Sequence, residues 1–358
     1  MNTAFCADSP GKRTNVMKCP TLRELPPPPP GKTGWPWTEE SVASSEVPQP
    51  GGAALTRFSI ITPSFNQGQF IEETIRSVLL QGYPDLEYFI IDGGSTDQTL
   101  DVLRKYTPWL THWVSEPDFG QSHAINKGLR QVTGSIWGWI NSDDLLMPGS
   151  LSVVADAHEH HPRALIAGDV LNFWPESGKQ ELIRQSEIEL SKFVEFWNRE
   201  GHWHQPGIFF PTYLRDEVGL LDESLSYLFD YDLLCRALTL SPVHYLRQTV
   251  AAFRLHDDSK TVSQGDLFLF ELCNITQRYW RHLPEVDRAG YKRHAAGLLF
   301  CTGCQRLVYG RPGAFRFIRE GLKTHPWWAV TSALKLLPGW LRKKWRSTVA
   351  VPSKSETQ

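Results

Sequence analysis

From residue 57 onward, short apolar runs alternate with stretches in which apolar residues recur every three or four positions. Phe58-Ser59-Ile60-Ile61 reads as a buried strand. Phe70, Ile71, Thr74, Ile75, Val78 and Leu79 then follow at helical spacing until Gly82-Tyr83-Pro84 ends the run. Glu87-Tyr88-Phe89-Ile90-Ile91 predicts a second strand, and Thr96 to Tyr106 a helix with Leu100 and Leu103 facing inward. Trp113-Val114 predicts a short strand, Gln121 to Val132 a helix, Ile136 to Ile140 a strand, Leu151 to His161 a helix and Leu165 to Val170 a strand. Strands and helices alternating at this spacing imply right-handed crossovers and a mostly parallel α/β sheet flanked by helices.

The pattern changes after residue 170. Trp203 to Phe210 is aromatic and extended, Leu233 to Leu240 is helical after Tyr227-Leu228-Phe229-Asp230-Tyr231-Asp232, and Val250 to Leu255 reads as a strand. Residues 264–323 carry only helical spacing. The chain therefore divides into an arm (1–56), an α/β body (57–262, halves 57–170 and 171–262), a helical region (263–325) and a tail (326–358). Pro26 to Pro30 cannot join a core, so the arm is expected to be mostly disordered. Trp35 and Trp37 in that arm clamp either onto the body or onto a partner. Gly31-Lys32-Thr33 lacks the strand and upstream glycine of a phosphate loop.

Composition narrows the classes. The chain has 358 residues, 41% hydrophobic and 21% charged, which is globular. A net charge of −2 gives no reason to expect nucleic acid as a partner. No apolar run is long enough to span a bilayer and no signal segment opens the chain, so a cytoplasmic location is expected. The tail interleaves Trp327, Trp328, Trp340 and Trp345 with Lys335, Arg342, Lys343, Lys344 and Arg346. Residues 327–346 thus suit peripheral contact with the inner face of a membrane, or a docked helix with a solvated basic end. Cys301-Thr302-Gly303-Cys304 is better read as idle thiols on a helix than as a metal site, and six scattered cysteines suit a reducing compartment.

The candidate chemistry lies where strands end. Thr62-Pro63-Ser64-Phe65-Asn66, Asp92-Gly93-Gly94-Ser95-Thr96-Asp97 and Asn141-Ser142-Asp143-Asp144 each turn polar after an apolar strand. The carboxyl edge of parallel strands is where open sheets bind ligands. Adjacent Asp143 and Asp144 suit a divalent cation, Mn²⁺ or Mg²⁺, held against a nucleotide's phosphates, or else a helix N-cap before Pro148-Gly149. Asp92 has the alternative of a plain turn residue. His204 lies in an aromatic stretch suited to stacking on a sugar, and Trp203, Phe209 and Tyr227 form either an acceptor platform or core.

Taken together with Ser115-Glu116-Pro117-Asp118-Phe119-Gly120-Gln121 and Asn126-Lys127-Gly128, these motifs closely resemble the inverting family 2 glycosyltransferases, in order over about 95 residues and more loosely to near residue 262. The resemblance implies a GT-A-type, Rossmann-like fold that binds a nucleotide-diphosphate sugar, with the helical region and the arm outside it. It implies that Thr62, Pro63, Ser64 and Asn66 line the nucleoside pocket, that Asp92 bonds the base, and that Ser95 and Asp97 shape the same loop. Lys127 would approach the ribose or diphosphate. Asp143 and Asp144 would form the acidic motif, Asp144 making the direct metal contact, with His256 as a third ligand or diphosphate contact. Inverting transfer also needs a base on the acceptor side. Asp230 is the first choice and Asp232 the second, each with helix capping as its alternative, and Trp203, His204 and Tyr227 would meet the acceptor.

The expected activity is metal-assisted transfer of a sugar to a hydroxyl of a glycan or lipid-linked acceptor in cell-envelope polysaccharide biosynthesis. The alternative is a catalytically silent nucleotide-sugar or glycan-binding scaffold. A nucleotidyltransferase would want a basic loop after the first strand, and Asn66-Gln67-Gly68-Gln69 has none.

Overall fold

A computed structural model describes residues 5–6, 20–41, 55–186, 188–195, 203–256, 267–282 and 285–333. The chain forms two compact units, one of residues 1–193 with 200–263 and one of residues 194–199 with 264–358.

The first unit is built on a ten-stranded sheet. Its centre is β2 (Phe58–Ser64), every residue of which is buried between parallel neighbours β3 (Leu86–Asp92) and β5 (Ile136–Trp139). β3 in turn pairs in parallel with β4 (His112–Ser115), whose other edge meets the two-residue β1 (Phe5–Cys6). Crossover helices α1 (Ile71–Leu79), α2 (Thr99–Tyr106) and α3 (Gln121–Leu129) link these strands. Helix α1 follows the apolar spacing that predicts it, with Ile71, Ile75, Val78 and Leu79 in the core and Glu72 and Glu73 at the favourable end of the helix dipole. The registers Ser64 to Asp92 and Asp92 to Ser115 bring three strands to an end at one level, which is why their loops meet.

Beyond β5 the sheet is mixed. β9 (Ile208–Pro211) is antiparallel to both β5 and β7 (Leu165–Trp174). β7 runs past the expected Val170 because β8 (Lys179–Ile183) covers its far half as a hairpin partner. β10 (Val243–Arg254) begins seven residues before the expected Val250. Irregularities between Leu246, Thr249 and Ala251 break the alternation there, hiding the strand from a periodicity argument. β6 (Leu145–Leu146) pairs with its far end. Helices α4 (Ser150–His160), α5 (Leu190–Val194), α6 (Thr212–Val218) and α7 (Phe229–Ala237) complete the order.

Within the arm read as mostly disordered, residues 20–41 are folded onto the body, and this part of the expectation is corrected. The anchor is Arg76 of α1, fully buried. Its guanidinium donates to the carbonyls of Pro26 (2.8 Å), Pro36 (3.0 Å) and Trp37 (3.1 Å) and to the Tyr106 hydroxyl (3.0 Å). It also lies 5.3 Å from the Trp37 ring centroid. Prolines lack an N–H but keep their carbonyls, so one arginine with five donors can hold a proline-rich strap that has no hydrogen-bond ladder of its own. Trp35 and Trp37 therefore pack on the body. The indole of Trp35 donates to the Leu146 carbonyl at 2.8 Å, and Ser41 Oγ accepts the Gly149 N–H at 2.9 Å.

The second unit holds helices α8 (Phe268–Arg278), α9 (Glu285–Val308), α10 (Ala314–Thr324) and α11 (Pro326–Ala333). Cys273, Tyr291, Ala295, Leu299 and Phe317 form its core. A Cβ on Gly303 would stand 2.8 Å from the Ile318 nitrogen, and one on Gly321 2.9 Å from the Ala296 carbonyl, so glycine lets α9 and α10 pack backbone to backbone. Cys301 and Cys304 lie on either side of Gly303, and neither is in a disulfide. No helix among the described residues is long and apolar enough to cross a membrane. Of the basic tryptophan-rich segment only 327–333 is described; Lys335 and the cluster 342–346 lie outside the described residues.

Candidate active site

The β2 and β3 loops are zipped together. Asn66, in the left-handed region (φ 52°), donates its N–H to Ser95 Oγ (2.7 Å) and accepts the Thr96 N–H on Oδ1 (2.9 Å). The N–H of Gly68 donates to Asp97 Oδ2 (2.8 Å), and that of Gln67 to Thr99 Oγ1 (3.1 Å). Burial works to raise the Asp97 carboxyl, but the hydrogen bonds from Thr99 and Gly68 outweigh it and hold the group below its ordinary value. The Thr62 hydroxyl lies 3.0 Å from that of Tyr88, a fully buried phenol that burial pushes above its usual range. Pro63 is buried beside it, and Ser64 ends the strand with a buried hydroxyl lacking a partner.

Asp92 does not present a free carboxylate. It is fully buried, and its oxygens accept the Ser95 hydroxyl (2.5 Å), the Ser115 hydroxyl (2.6 Å), and the N–H groups of Ser95 (2.8 Å) and Gly94 (3.1 Å). Three of these donors reach Oδ2 and one reaches Oδ1, so Asp92 holds the loops after β3 and β4 together from within. In the loop after β4, Asp118 is half-buried, and its Oδ1 accepts the Gly120 N–H at 2.8 Å. Its Oδ2 lies 2.9 Å from where a Gly93 Cβ would stand, so the missing side chain makes its room. Lys127, on α3, pairs with Glu116 at 2.8 Å.

The acidic loop after β5 sets two unlike carboxylates side by side. Asp144 is fully buried; Oδ1 accepts the Arg254 N–H (2.9 Å) and Oδ2 the Asn141 amide (3.1 Å). Burial, and then the charge of Asp143, drive its pKa well above the usual carboxylate range. Asp143 is partly open, with Oδ2 3.1 Å from His256 Nε2 across 113 residues of chain. Neither acid caps α4, whose N-cap is Gly149. Asp143 is thus the more open of the two acids, and Asp144 is buried beside it with one hydrogen bond to each oxygen. A two-donor set of one carboxylate and one imidazole, beside a nucleotide's phosphates, fits a hard divalent cation that takes its remaining ligands from phosphate and water. Among the described residues no group of three or more His, Cys, Asp or Glu side chains gathers to hold a metal.

Arg254 was not foreseen. Buried at the end of β10, it donates Nε to the Asp143 carbonyl (2.7 Å) and Nη2 to Glu73 (3.0 Å). Its guanidinium packs on the rings of Phe70 (5.0 Å) and Phe173 (4.6 Å). The available signal was a charged residue closing an apolar strand two positions before His256. Gln121 is a second addition, donating to Asn141 Oδ1 at 2.8 Å.

On the other side of the sheet centre, Gln205 donates to the Trp139 carbonyl at 2.8 Å, tying the 203–207 segment to the end of β5. The His204 ring packs edge-on to Phe253 at 5.3 Å, next to Arg254. Trp203 belongs to an aromatic cluster with Phe193 (5.3 Å) and Tyr231 (5.9 Å), and Phe209 is core. Tyr227 is half-buried before α7. Asp230 and Asp232 both lie in the first turn of α7, whose N-cap residue is Leu228. Asp232 is buried and paired with Arg236 at 3.0 Å, whereas Asp230 is half-buried.

A mixed sheet of this order, with its polar loops gathered at the carboxyl edge of β2, β3, β4 and β5, is a GT-A-type fold. Residues 59–218 match the profile of glycosyl transferase family 2. It is 28% identical over 216 residues to an uncharacterized glycosyltransferase of Rickettsia typhi, covering 57% of this chain and 65% of that one. A PGL/p-HBAD biosynthesis glycosyltransferase of Mycobacterium tuberculosis is 33% identical over 123 residues, 33% of this chain and 48% of that one. The match thus spans less than two thirds of these curated relatives. Among solved structures, S. aureus TarS 1–349 in complex with UDP-GlcNAc shares the fold with a TM-score of 0.51 at 17% identity, over 82% of this chain and 79% of that one.

Proposed function

We propose that this protein transfers a sugar, with inversion, from a nucleotide-diphosphate donor to a hydroxyl of a glycan or lipid-linked acceptor. The observation that carries the proposal is the meeting of Asp143 and His256 at the carboxyl edge, beside the loops that carry the family's motifs. The zipped β2 and β3 loops provide a prebuilt nucleoside wall. Asp118 has the free acceptor to pair with the N–H of a base, in place of Asp92. Asp143 and His256 would hold Mn²⁺ or Mg²⁺, which when bound supplies positive charge to a departing nucleoside diphosphate. Lys127 adds charge-assisted bonds to the phosphates if its pairing with Glu116 yields to them. Asp230 takes the proton from the acceptor hydroxyl as that oxygen attacks the anomeric carbon. His204 lies on the acceptor side.

The experiment is thermal stabilisation by UDP-, GDP- and TDP-sugars with and without Mn²⁺, followed by assay of sugar release and transfer. The UDP-GlcNAc bound to the TarS structure makes a UDP-sugar the first donor to try. A ligand that binds the native state raises its apparent stability. A shift with one nucleotide that requires Mn²⁺ and disappears in Asp143→Asn supports the reading. A shift without turnover, unchanged by Asp230→Asn, favours a silent scaffold, and no shift from folded protein removes the nucleotide-sugar reading.

A further inference from the structure

Charge is unevenly divided along the chain. Residues 288–358 hold 14 lysines and arginines against only Glu320 and Glu356, although the whole chain carries a formal net charge of −2. Between Arg288 and Arg319 there is no acid at all. Such asymmetry marks a region that meets an anionic surface.

Besides Leu298, Trp327 and Val330, the second unit exposes a cluster of apolar side chains. Where α9 turns into α10, Leu307 is 51% exposed, Val308 78%, Tyr309 76% and Phe315 74%. Residues 307–313 are exposed without interruption, with Arg311 among them, and Phe315 and Arg316 are exposed just beyond. The large apolar residues exposed in the first unit, such as Phe65, Phe119, Leu182 and Leu240, are instead spread singly along the sequence.

From this juxtaposition we propose that the α9–α10 turn docks on an anionic lipid bilayer. Aromatic and aliphatic side chains enter the head-group boundary while arginines pair with anionic head groups. A soluble polyanion would use the arginines but gain nothing from Val308 and Phe315 held in water. The chain's own segment 334–358 is a poor cover for this tip, because it adds six lysines and arginines against one acid and like charges would meet. Docking of a second copy is read directly from the oligomeric state in the test below.

The test is co-sedimentation of the full chain with phosphatidylcholine vesicles, with and without phosphatidylglycerol, alongside light scattering for oligomeric state. The protein should bind only the anionic vesicles, and less as salt rises. Val308→Ser with Phe315→Ser keeps every charge, and should weaken vesicle binding by about tenfold or more, since interfacial affinity scales with the apolar area inserted. Should that pair perturb α10, Tyr309→Ser in the turn carries the same test. Arg311→Glu with Arg316→Glu should abolish the preference for phosphatidylglycerol. Wild-type binding by the serine pair would overturn the proposal, most plainly if Lys343→Glu with Lys344→Glu then removed it. So would the absence of vesicle binding, equal binding to both lipids, or a self-association lost in the serine pair.

Discussion

The loop after β3 and the loop after β5 both carry aspartates at the same sheet edge, yet they use them in opposite ways. Asp92 has four donors within its own neighbourhood and is sealed. Asp143 keeps an oxygen facing His256 and remains partly open. Asp144 is buried beside Asp143 and accepts one backbone N–H and one amide. An acid that has spent its lone pairs builds a loop, and one that retains them can hold a ligand.

The sharpest way to break this contrast is to replace one acid from each loop. Asp143→Ala should lower kcat/KM by about 100- to 1,000-fold while leaving the melting temperature nearly unchanged, the scale on which loss of transition-state charge stabilisation is felt. Asp92→Ala should do the reverse first, costing about 2–4 kcal/mol of stability, because several buried donors lose a charged partner. Urea unfolding beside steady-state kinetics would show it. If Asp92→Ala left stability intact and only weakened donor binding, Asp92 would be a base reader after all.

A smaller effect sharpens the picture from outside the family-matched residues. Trp35→Phe removes the indole N–H that holds the Leu146 carbonyl, two residues beyond Asp144. It should cost about 1 kcal/mol of stability, the typical worth of one hydrogen bond. It should also raise the Mn²⁺ concentration needed for half-maximal activity with kcat little changed. A strap that only adds stability would leave the Mn²⁺ dependence where it was.

The smallest effect is a control in neither loop. Burial pushes the His158 imidazole below its ordinary value of 6.5. The unfolded chain therefore takes up a proton near pH 6.5 that the folded one refuses, so this contribution is intact above that pH and lost as pH falls. Melting temperature should decline from pH 7.5 to pH 5 in the wild type and less so in His158→Phe.

The strands and crossovers of residues 58–170 were legible because each is short, apolar and bounded by turn residues, and the motif order located the site loops. Burial and pairing were not legible. Nothing in Asn141-Ser142-Asp143-Asp144 tells which aspartate is open, since that depends on where Arg254 and His256 arrive from β10, 110 and 113 residues later. The start of β10 was hidden by its irregular register, and the proline-rich strap by its lack of internal hydrogen bonds. The sequence by itself determined the element types and which loops carry acids, because local periodicity and turn chemistry act over a few residues. Only the tertiary structure decided which acids are spent and which remain available, because a carboxylate's burial and partners are set by strands distant in sequence that the sheet brings together.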